Sequence, residues 1–152
     1  MIRVINSLIF LFALLFSNLN ANEMFQTVEA KDATLVKSDS SKDFCNVCGM
    51  HLTKYYKTNH TAEFKNGHKE QYCSMHCLAE VHKNYADKIK LIQVVDTNSL
   101  KLIDAKKAFY DTMNLTPMAY GFGAHETKEN IQEGLEIIDY NIVKERVLKI
   151  GK

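Results

Sequence analysis

Residues 60–95, HTAEFKNGHKEQYCSMHCLAEVHKNYADKIKLIQVV, decide the fold. Two short alternating runs, 60–65 and 68–73, are joined by Asn66-Gly67, a dipeptide favoured in type I′ turns, and so predict a β-hairpin. Ser74 stands where a helix N-cap belongs, and Met75, Leu78, Ala79 and Val81 then recur near helical spacing as far as Tyr85. Ile89 to Val95 is a mostly apolar run bounded by polar residues, as a buried strand would be. The order is ββαβ.

A weaker version of this order follows: strand-like Ala105 to Asp111, a Gly-containing stretch from Met118 to Gly123, and a helix expected from Thr127 to Ile138. The expectation is an α+β fold of tandem ββαβ units with small mixed or antiparallel sheets. Asp139 to Ile150 opens on a capping Asp and carries Ile142, Val143, Val147 and Ile150 at helical spacing, so it predicts a terminal helix. The run IIDYNIV at 137–143 also suits a strand.

Upstream, residues 22–43 hold no sustained period and are expected to form a flexible leader. Residues 1–21 place Arg3 before the apolar run Leu8 to Phe16 and end in SNLNA, the layout of a secretory signal peptide cleaved after Ala21. Polar residues at 6, 7, 17 and 18 leave the stretch short of the ~20 apolar residues a membrane span needs. No Cys lies near the cleavage site, so a lipoprotein anchor is not expected. Residues 44–152 are left as the folded domain, and the protein is expected in the periplasm.

The 152 residues include 46% hydrophobic and 24% charged types, enough apolar material for one packed domain. Their 19 basic and 18 acidic side chains leave +1, no field for holding a phosphate backbone, so nucleic acid is not an expected partner.

Chemistry concentrates in FCNVCGMH at 44–51 and YCSMHC at 72–77, which hold all four cysteines. In a C-x-x-C-G turn both Cys45 and Cys48 can face one ion, with Gly49 free to take the left-handed backbone such a turn often needs. Cys73 and Cys77 stand four apart at a helix start and share a face. Thiolates alone suit Zn²⁺, whereas added thioether shifts preference to Cu(I), which makes Met50 the discriminating residue. Met113 and Met118 offer further thioethers, and His51 and His76 are the histidines nearest the sulfurs. Disulfides remain an alternative for the four thiols in an oxidising compartment. No nucleophile, base and oxyanion set assembles, so the protein is not expected to be an enzyme.

Three motifs in order, C-G-M at 48–50, VVDTNSLKLIDAKKAFY at 94–110 and Pro117-Met118, lie behind the export signal. Together they resemble the NosL family, accessory proteins of nitrous oxide reductase that bind Cu(I) and deliver it for assembly of the reductase's copper centres. The resemblance covers roughly residues 44–140. It implies a periplasmic copper chaperone whose ion is held by Cys48 and Met50 from the first motif and by Met118 from the last. It also implies partners: a membrane ABC-type assembly complex and the apo-reductase. Two departures stand out: many members are lipoproteins, and many lack the extra thiols Cys45, Cys73 and Cys77. The added set resembles the TRASH-type treble-clef module, in which a knuckle, a hairpin and a helix start supply ligands in this order.

Two further readings compete. Cys45, Cys48, Cys73 and Cys77 could form a closed zinc tetrahedron whose purpose is to fold the first unit as a protein-interaction module. A dithiol oxidoreductase using Cys45 and Cys48 is disfavoured, because no thioredoxin-like βαβ context precedes the pair.

Overall fold

The computed structural model describes residues 27–37, 42–114 and 121–150. The described residues are α+β, as expected, with two small antiparallel sheets and two α-helices among them. The signal peptide expected over 1–21, and Met118, lie outside the described residues.

The first unit follows the predicted order. Strands β1 (His60–Phe64) and β2 (Lys69–Tyr72) pair with His60 opposite Tyr72. The hairpin closes differently from the expected type I′ turn. Phe64 N–H donates to the His68 carbonyl at 2.8 Å around a three-residue loop, and Gly67 alone in that loop has positive φ, 85°. This arrangement lets Asn66 keep an ordinary backbone conformation. Helix α1 (Met75–Tyr85) begins after Ser74, whose extended backbone suits an N-cap although its hydroxyl makes no capping bond. It buries Met75, Cys77, Leu78 and Ala79. A side chain as fully buried as Leu78 contributes about 1.5–3 kcal/mol. Strand β3 (Ile89–Val95) returns against β1, and a short β4 (Leu102–Asp104) extends the sheet to the order β2-β1-β3-β4.

The second unit departs from the expected repeat. Residues 105–108, expected in a strand, form a turn on Asp104, whose carboxylate accepts the Lys106 N–H at 3.0 Å while its carbonyl accepts Lys107 and Ala108. Strand β5 (Phe109–Asn114) starts only afterwards and pairs with β6 (Gly121–His125), which is buried along its whole length. The helix expected over 127–138 does not form. A single 3-10 turn, Lys128–Asn130, is followed by Gly134 at φ 88°, a conformation no α-helix contains. A turn, with Leu135 N–H donating to the Gln132 carbonyl, then leads into β7 (Ile137–Ile138), which pairs with β5 to give the order β6-β5-β7.

Helix α2 (Tyr140–Ile150) closes the chain as predicted, with the Asp139 carboxylate accepting the N–H groups of Asn141 and Ile142. Tyr140, Val143 and Val147 form its buried stripe, and it packs on α1. The units are stitched together at the loop after β3. Thr97 N–H donates to the Ala124 carbonyl at 2.8 Å, the Asp96 carboxylate accepts Glu126 N–H, and the His125 ring bridges Asn98 and the buried Asp111. Among the described residues no helix is long and apolar enough to cross a membrane.

Residues 27–37, placed by the sequence in a flexible leader, are held against the first unit. Val28 N–H donates to the Thr53 carbonyl, Thr34 N–H to the Tyr56 hydroxyl at 2.8 Å, and Val36 N–H to the Gln71 side chain at 2.9 Å. The partners come from distant segments, which is why no local periodicity announced them.

Candidate metal centre

Two local structures converge on one point. The first is a knuckle: Phe44 bridges His51, Cys45 N–H donates to the Met50 carbonyl at 2.8 Å, and Gly49 N–H donates back to the Cys45 carbonyl at 2.9 Å. Gly49 turns at φ 72°, which side chains with a Cβ rarely adopt. The second is the passage from β2 into α1, with Cys73 just after the strand and Cys77 in the first helical turn.

These elements bring Cys45, Cys48, Cys73 and Cys77 together, with all four sulfurs within 4.8 Å of one another. Cys48 Sγ lies 3.4 Å from Cys73 Sγ, and Cys73 Sγ 3.7 Å from Cys77 Sγ. None is disulfide-bonded; Cys45, Cys73 and Cys77 are buried, whereas Cys48 is exposed. Knuckle, hairpin end and helix start supply the thiols in treble-clef order.

The electrostatics explain why a cation suits the cluster. Hydrogen bonds from the Cys73 and Cys77 thiols hold Cys45 far below the usual thiol range, against the opposing effect of burial. The same contacts with Cys45 push Cys73 and Cys77 up, because each proton is wanted as a donor. Burial and mutual hydrogen bonding thus oppose ionisation of Cys73 and Cys77, and a positive ion among the sulfurs would relieve that opposition.

Met50 is half-buried and packs on the hydrophobic core to which Cys45, Cys73 and Cys77 belong. Met113 falls on β5, and Met118 is not among the described residues. Among the described residues, the side chains close enough to share one ion are the four cysteines, with no histidine in the group. His51 Nδ1 bonds the Thr53 hydroxyl at 2.6 Å, and burial lowers the His76 pKa.

Several supports were not visible in the sequence. Lys37, only 5% exposed, donates its ammonium to the Phe44 carbonyl at 2.9 Å and to the Asn46 side chain. Asn46 in turn bonds Glu70 on β2, tying the knuckle to the hairpin. Thr58 donates its hydroxyl to the Cys73 carbonyl at 2.8 Å. A lysine within a polar stretch carries no local signal of such a role.

Fold and cluster together define a small α+β protein with a soft, all-sulfur metal site. No family model matches the chain, and no curated protein matches it. Among solved structures, the crystal structure of the copper chaperone NosL from Shewanella denitrificans shares this fold, with a TM-score of 0.54 and 17% identity. The match covers 69% of this chain and 92% of that one.

Proposed function

We propose that this chain is a periplasmic Cu(I)-binding chaperone that delivers copper for assembly of the metal centres of nitrous oxide reductase. The observation that carries the reading is the sulfur cluster itself, with three donors sealed in the core and Cys48 open to solvent. Buried soft donors retain a soft ion, and an exposed donor gives an incoming ligand a place to start. Transfer is then ligand exchange: a Cys, Met or His of the recipient replaces Cys48 first, and the buried sulfurs let go in turn. Met50, two residues after Cys48, and Met118 would add neutral thioethers, which favour Cu(I) over harder ions.

Export rests on the signal-like residues 1–21. The recipients, a membrane ABC-type assembly complex and the apo-reductase, rest on the motif order shared with the NosL family and on the fold shared with one NosL chaperone. The zinc reading is favoured by one specific observation: an all-thiolate set with three buried sulfurs also suits a closed tetrahedral Zn²⁺ site.

The test is native mass spectrometry of the fully reduced protein during anaerobic Cu(I) titration against a competing chelator, with Zn²⁺ in parallel. One Cu(I) taken up in preference to zinc, with affinity weakened about ten-fold or more by Met50→Leu and Met118→Leu, supports the chaperone, since ten-fold is only about 1.4 kcal/mol. Preference for Zn²⁺, indifferent to both methionine changes, overturns it in favour of the structural module.

A further inference from the structure

We propose that Cys48 and Cys73 form a thiol–disulfide exchange site through which an organic disulfide discharges the bound metal. The step of metal release rests on the metal-binding reading above; the exchange chemistry stands on the geometry alone.

The four thiols are unequal. Cys45, Cys73 and Cys77 are 3%, 1% and 4% exposed, so a disulfide arriving from solvent meets Cys48 alone. Access of this kind selects which thiol reacts first. Once Cys48 has reacted, Cys73 stands 3.4 Å away. A disulfide spans about 2.0 Å, so the sulfurs have about 1.4 Å to close. Cys73 and Cys77 are also close, at 3.7 Å, but both are sealed from an external oxidant.

The chemistry balances in two displacements. The Cys48 sulfur attacks one sulfur of R–S–S–R, forming a mixed disulfide, breaking the R–S–S–R bond and expelling RS⁻. The Cys73 sulfur then attacks Cys48 Sγ, forming the Cys48–Cys73 bond and expelling the second RS⁻. The protons from the two cysteines end on two molecules of RSH; the cysteines are oxidised by two electrons and the incoming disulfide is reduced by two. A metal ion held by the four sulfurs loses two donors at once and keeps only Cys45 and Cys77.

The full-length reduced, metal-free protein is treated anaerobically with oxidised glutathione and, in parallel, with thioredoxin oxidised at its active-site pair. After alkylation, the linkages are mapped by mass spectrometry of non-reduced peptides. A dominant Cys48–Cys73 linkage with either reagent supports the site, and the faster reagent identifies the source. A dominant Cys45–Cys48 or Cys73–Cys77 linkage, or no reaction, overturns it. Two variants sharpen this: Cys73→Ser should accumulate glutathione on Cys48, and Cys48→Ser should react about ten-fold more slowly or less. First adducts on Cys45 in Cys73→Ser would also overturn it. The wild-type map decides the matter if either variant fails to fold.

The metal-loaded protein is then treated in the same way with a chromophoric chelator present. One ion freed per Cys48–Cys73 disulfide supports discharge, and retention of the ion after the bond has closed overturns it. A reduced protein that takes up neither Cu(I) nor Zn²⁺ overturns the metal reading and discharge with it, while the metal-free map still decides the exchange site.

Discussion

Gly49 sits between Cys48 and Met50 with φ at 72° and open space around the position of a Cβ, so an added methyl meets strain but no clash. Gly49→Ala should therefore cost about 1–2 kcal/mol through the left-handed backbone alone. Gly67, at φ 85° with equally open space, is the matched control in the hairpin loop. Urea unfolding should show similar losses for both substitutions, with metal affinity falling only for Gly49→Ala; equal loss of affinity would mean that the knuckle's shape is not what holds the sulfurs. Lys37→Met should cost about 1–3 kcal/mol, because it removes a charged donor from the Phe44 carbonyl and from Asn46 in part-buried bonds. Faster metal release to a chelator would accompany it. The cysteines were legible because sulfur carries its chemistry at any position and the spacings are local. Lys37 was not, because its role depends on a carbonyl seven residues away and on burial that folding supplies.

At the scale of elements, the first unit could be read from sequence because each signal lies inside its own segment: alternation in β1 and β2, Ser74 before α1, an apolar run in β3. The second unit could not. Helical spacing around 127–138 competed with Gly134, and the demand of β5 for a neighbour at Tyr110 and Asp111 drew Ile137 and Ile138 into a strand instead. Tyr56 shows how elements are joined. Its fully buried hydroxyl accepts Thr34 N–H and donates to the Leu100 carbonyl at 3.1 Å, gripping both the 27–37 segment and the loop after β3. Tyr56→Phe should destabilise the protein by about 1–3 kcal/mol. Hydrogen exchange should speed up at Thr34 and around Leu100 before the β1–β3 ladder is affected; uniform loss of protection would show that the hydroxyl serves global stability alone.

For the whole molecule, stability should fall on mild acidification. Burial presses the His60 pKa down to about 4; the bond to the Thr58 carbonyl opposes this, and His76 adds to it. Unfolded, the ring returns to an ordinary value near 6.5. Below that pH the unfolded chain binds a proton that the folded chain refuses, so stability is intact above about 6.5 and declines as pH drops towards 4, by about 3 kcal/mol in all. His60→Phe, which keeps the ring stacked on Tyr110, should flatten urea midpoints measured at pH 7 and pH 4.5. An unchanged slope would move the effect to other groups. The fold gathers four sulfurs within reach of one ion, so loading should raise the melting temperature, by an amount equivalent to at most about 4 kcal/mol at a thousand-fold excess over the dissociation constant. A chelator should reverse it, and a melting temperature indifferent to metal would remove the site.

The sequence by itself determined the α+β class, the ββαβ order of the first unit, the terminal helix and the identity of four thiols able to meet, since each follows from a local period, a cap or a side chain's own chemistry. Only the tertiary structure decided that three thiols are sealed and Cys48 is open, that Lys37 and Thr58 brace their backbone, that residues 27–37 pack, and that residues 137–138 form a strand. These depend on partners far along the chain. Burial and hydrogen-bond satisfaction are properties of the assembled fold, and no window of sequence contains them.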